Sequence, residues 1–83
     1  MSDDADDPAE DMAVYERMGE HYYDKMYDAR GRDVKDCYED ACDNFREAIR
    51  LAQDLGRIDD WLRLTARLQR IRDVYNSQFR PLL

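Results

Sequence analysis

The chain's 83 residues include one histidine and two cysteines, the side chains best suited to catalysis or metal binding near neutral pH. His21 has Glu20 and Asp24 beside it in sequence. A helix-borne metal or acid–base histidine is typically supported at helical steps, as in Glu-x-x-His, and the residue three before His21 is Met18. Cys42 and His21 could pair across a bundle as nucleophile and base, but no local signature supports that pairing. Cys37 and Cys42 are five apart on a predicted helix, pointing about 140° apart with Cα atoms beyond disulfide reach. They read as reduced thiols, which suits a reducing cytoplasm. The aspartates of residues 1–11 lack the oxygen-ligand spacing and turn glycine of a calcium loop. Gly19, Gly31 and Gly56 are isolated, so there is no phosphate-cradling loop. These residues point to no enzyme, no metal and no cofactor.

Two other patterns suit binding. Tyr23 and Tyr27 sit one helical turn apart, off the apolar face of their helix, where exposed aromatic pairs can anchor a partner. Arg63, Arg67 and Arg70 fall within about 60° of one another on a helix wheel, opposite an apolar face. Such a stripe can grip an acidic peptide or a phosphate backbone, or be balanced by Asp59, Asp60, Asp73 and the acidic start of the chain. The candidate partner-binding residues are therefore Tyr23, Tyr27, Arg63, Arg67 and Arg70.

Three helices must position them. From Asp36 to Gly56, apolar residues recur at three- and four-residue steps: Cys37, Tyr38, Ala41, Cys42, Phe45, Ala48, Ile49, Ala52 and Leu55. At about 100° per residue they share one face, and Gly56 supplies the left-handed stop. Asp33 or Asp36 is the expected cap of this helix. Its apolar arc is wide enough for two neighbours, which makes it the central helix. The first helix is expected over Met12–Ala29, capped by Asp11, with Val14, Tyr15, Met18, Tyr22, Met26 and Ala29 on the core face and Gly19 at its edge. The third, capped by Asp59, places Trp61, Leu64, Leu68, Ile71, Tyr75 and Phe79 on one face and stops near Arg80–Pro81. Short connections make this an all-α, three-helix antiparallel bundle over residues 12–83. Residues 1–11 hold six acids and no large apolar residue except the first methionine, and read as a disordered acidic tail.

The net charge is −7, unevenly spread. Residues 57–83 carry six arginines against three aspartates, a net +3, which leaves −10 on residues 1–56. The acidic half argues against generic binding to nucleic acid or an anionic membrane. There is no apolar stretch near the ~20 residues of a membrane span and no basic-then-apolar leader, so a signal peptide is not expected.

Tyr15, Met18, Gly19 and Tyr22 on the first helix, with Ala41, Phe45 and Ala48 on the second, resemble the tetratricopeptide repeat, a helix–turn–helix unit that holds other proteins. LAQDLG stands where that family places a proline, and the link between Tyr22 and Ala41 is longer than the family's turn. Leu68, Ile71 and Tyr75 echo the spacing of Tyr15, Met18 and Tyr22, which makes the third helix a terminal cap on one repeat. An apolar inventory generous for three helices, with Tyr23 and Tyr27 off the main face, leads to the expectation of a non-catalytic, cytosolic interaction module that binds another protein or itself as a homodimer. The charge of residues 1–56 supports a second expectation, an acidic inhibitor that mimics nucleic acid.

Overall fold

The computed structural model describes residues 7–82. They form three helices, α1 (Pro8–Asp28), α2 (Arg32–Asp54) and α3 (Ile58–Val74). A π turn over Tyr75–Phe79 and a 3-10 turn over Arg80–Leu82 follow α3. The expected all-α, three-helix bundle is the observed one.

The helix starts differ from those expected. α1 begins four residues before Met12. The Asp7 carboxylate accepts a hydrogen bond from the Ala9 amide at 2.9 Å, and Pro8 occupies the first helical position, where its missing N–H costs nothing. Asp11 is inside the helix, so residues 8–11 are not tail; residues 1–6 lie outside the described residues. α2 begins at Arg32 after Gly31, which has φ +57°, and neither Asp33 nor Asp36 caps it. Asp33 lies in the first turn, where its charge complements the helix dipole. α3 begins at Ile58 without a side-chain cap, and Asp59 again lies in the first turn.

The stop of α2 is the expected one. Gly56 has φ +71°, its amide bonds the Gln53 carbonyl at 3.0 Å, and the Arg57 amide bonds the Ala52 carbonyl at 2.9 Å. This pair of bonds satisfies carbonyls that the helix end would otherwise orphan.

Connections at residues 29–31 and 55–57 make α1 and α2, then α2 and α3, antiparallel. α1 and α3 therefore run parallel, both against α2. Ala41, Ala48 and Ala52 of α2 are fully enclosed, and their small side chains let both neighbours approach closely. Met26, Phe45, Leu64 and Ile71 fill the space between. Leu68, Val74 and Tyr75 complete the α3 side, and Tyr38 stacks flat on Tyr75 with ring centroids 3.8 Å apart.

The core face of α1 is rotated from the expected one. Met12, Gly19, Tyr23 and Met26 are buried, whereas Val14 and Met18 are exposed. The cause is Phe45. Its ring lies where a side chain at Gly19 would be: a Cβ there would sit 2.5 Å from Phe45 Cδ2. Gly19 is thus the centre of the contact rather than its edge, and residues seven apart (12, 19 and 26) line the seam. Leu55, expected on the core face of α2, is exposed at its end.

Candidate functional site

Tyr23 is placed in the core by the rotation of α1. It is only 8% exposed, which removes it as a surface anchor. Its hydroxyl shares a 3.0 Å hydrogen bond with that of Tyr27, and burial, followed by the Tyr27 hydroxyl, pushes its pKa up to about 12. Tyr27 is 52% exposed, but one edge is used internally. Its ring meets Tyr23 at 5.4 Å and Phe79 at 5.1 Å, both edge to face. The π turn brings Phe79 there, because a wider turn advances each residue by less than the α-helical ~100°. The two tyrosines therefore belong to an aromatic row that ties α1 to the segment after α3.

Two of the three arginines are engaged within the chain, at its surface. Arg67 makes a forked pair with Glu20, Nε to Oε2 at 2.7 Å and Nη2 to Oε1 at 2.8 Å, and its guanidinium lies 5.1 Å over the Tyr23 ring. Arg63 forks onto Glu16, one of the two bonds being 3.1 Å, and also reaches Asp60 at 3.1 Å. These hydrogen bonds push both guanidinium pKa values further up. The expected stripe is thus largely a two-rung clamp between α1 and α3. Arg70 is exposed and has no ion pair among the described residues.

His21 is exposed, its ring edge on Tyr22 at 5.3 Å, while Cys42 is buried. Cys37 is half-buried, and desolvation pushes its thiol pKa up, which keeps it protonated at neutral pH. No cluster of His, Cys, Asp or Glu suited to a metal is present among the described residues.

Two features were not foreseen. The first is an apolar ridge at the α2–α3 corner. Ile58 is 64% exposed and Leu62, one turn on, 55%, with the exposed Leu55 just before them. The second is a pair of clefts at the opposite end, beside the α1–α2 turn. One, of about 670 Å³, has Ala29, Val34, Phe79 and Leu82 as its apolar lining and Arg30, Arg32 and Lys35 as its polar residues. The other, of about 360 Å³, is acidic, with Asp28, Asp33, Asp36 and Asp40 around Lys25 and Tyr22. The sequence signal for the first was three cations within six residues around Val34. The ridge was hidden because a predicted core face says little about apolar residues beside it.

The chain matches no protein-family model, no curated protein and no solved structure. No helix among the described residues is long and apolar enough to cross a membrane.

Proposed function

We propose that the chain is a non-catalytic interaction module of the cytoplasm that works through helix faces and self-associates as a homodimer. The observation that carries this reading is the ridge of Leu55, Ile58 and Leu62. Three adjacent large apolar residues left in water at one corner of a small bundle favour a covering surface. The contact of Gly19 with Phe45 adds support. Both belong to the residues that resemble the tetratricopeptide repeat, whose helix pairs stack on further helices.

The test is Leu62→Lys. Leu62 is exposed, so the substitution leaves the core alone. Sedimentation equilibrium is expected to show a wild-type dimer and a variant whose self-association is at least about tenfold weaker, with unchanged circular dichroism. A wild-type chain that stays monomeric to ~1 mM would overturn the homodimer.

A second reading, an acidic nucleic-acid mimic, is favoured by one specific feature. Asp33, Asp36 and Asp40 form an exposed row on α2 with no ion pairs among the described residues, whereas Asp43, Glu47 and Asp54 are paired with Arg46 and Arg50. Salt separates the two readings: a complex held by that row weakens steeply with ionic strength, and an apolar ridge does not.

A further inference from the structure

We infer that the larger cleft at the α1–α2 turn is a docking site for an acidic peptide segment carrying one bulky apolar side chain. This goes beyond the self-association proposed above, since the cleft lies at the end of the bundle opposite the ridge, and each site can be tested without the other.

The cleft combines two properties. Its apolar lining comes from two separate pieces of chain, Ala29 and Val34 on one side and Phe79 and Leu82 on the other. Val34 is a core residue and Phe79 is held against Tyr27, so the base of the cleft is preformed. At about 670 Å³ it admits a side chain as large as phenylalanine with room for the flanking backbone. Its polar residues are all cationic. Arg30, Arg32 and Lys35 are exposed, and none has an ion pair among the described residues, although the chain as a whole carries −7.

Charge complementarity selects the occupant. An acidic segment is repelled by much of this surface, including the neighbouring acidic cleft, and at this cleft meets three cations without ion pairs among the described residues beside an apolar floor. The three cations are spread over six residues, from the turn into the first turns of α2. One carboxylate cannot meet three cations so distributed, whereas carboxylates on both sides of an anchoring side chain can. A peptide segment supplies that pattern.

The experiment uses the full chain and a fluorescein-labelled peptide, DDFDD, read by fluorescence anisotropy and by amide shifts in NMR spectra. Saturable binding is expected, with shifts confined to residues 29–35 and 79–82. KKFKK, which reverses the charge, and DDSDD, which lacks the anchor, are each expected to bind at least about tenfold more weakly. The variant R32E/K35E should lose about tenfold or more in affinity, and it is compatible with folding because acidic residues near a helix start suit the dipole. The control R17E changes the net charge at an exposed site outside the cleft's lining and should lose at most about twofold. No saturation at ~1 mM peptide would overturn the inference. So would wild-type affinity in R32E/K35E, equal binding of DDSDD, shifts centred on Ile58 and Leu62, or shifts of residues 29–35 with protein concentration alone, which would place a second copy in the cleft.

Discussion

Gly19 is the residue on which the helix packing turns. Glycine inside a helix is ordinarily a weakness, and replacing it with alanine gains up to ~1 kcal/mol of helix propensity. Here the added methyl would meet the Phe45 ring at 2.5 Å, and Phe45 is fully enclosed, so the ring cannot swing out into solvent. Overpacking of this kind costs roughly 1–3 kcal/mol. Gly19→Ala is therefore expected to destabilise the fold by a net ~1–2 kcal/mol in urea denaturation, against the propensity scale. In a Phe45→Leu background, which thins the side chain at the point of contact, the same substitution should cost at least ~1 kcal/mol less. Equal costs in the two backgrounds would mean that Gly19 is not held open by that ring. The buried Tyr23 follows from the same contact: turning Gly19 toward Phe45 carries the residue four positions on into the core.

At the scale of the helices, the clamp of Glu16 and Glu20 on Arg63 and Arg67 joins α1 to α3. Both rungs have the same offset of 47 residues, as two parallel helices in register require. Arg67 and Glu20 are each more than a third exposed, so their coupling should be modest, about 0.5–1 kcal/mol in a double-mutant cycle. It should fall toward zero in ~1 M salt, where the Debye length is ~3 Å. The swapped pair E20R/R67E should recover part of what R67E loses, but not all, because the guanidinium then no longer lies over Tyr23. Full recovery would show that this cation–aromatic contact contributes nothing. The number, order and central member of the helices were legible in the periodicity, and Gly56 marked its stop correctly. The start of α1 was also written in the chain, as Asp7-Pro8-Ala9-Glu10, but the acidic composition around it pointed to a tail. The face of α1 and the fate of the arginines were not legible. Periodicity identifies a stripe, whereas the angle at which it meets a neighbour depends on which glycine faces which ring. The ion pairs depend on a register between helices that are not consecutive.

Over the whole molecule, the apolar ridge and the cationic cleft stand at opposite ends. The +3 of residues 57–83 is partly offset by acids of α1, and three cations without ion pairs among the described residues lie together at the α1–α2 turn. The apolar ridge occupies the other end, so the proposed self-association surface and the proposed peptide site do not overlap. The clamp has a consequence for how the chain assembles. α1 and α2 are joined by three residues and pack along most of their lengths, whereas α3 shares less surface with α2 and meets α1 only across a 47-residue separation. Closing that longer loop costs entropy that only the completed contact returns. The hairpin of α1 and α2 is thus the unit expected to form first, with α3 the last to join and the first to leave. Native-state hydrogen exchange should find the amides of Leu64 and Leu68 opening at lower free energy than those of Ala41, Phe45 and Ala48, and uniform protection would instead mark a single cooperative unit.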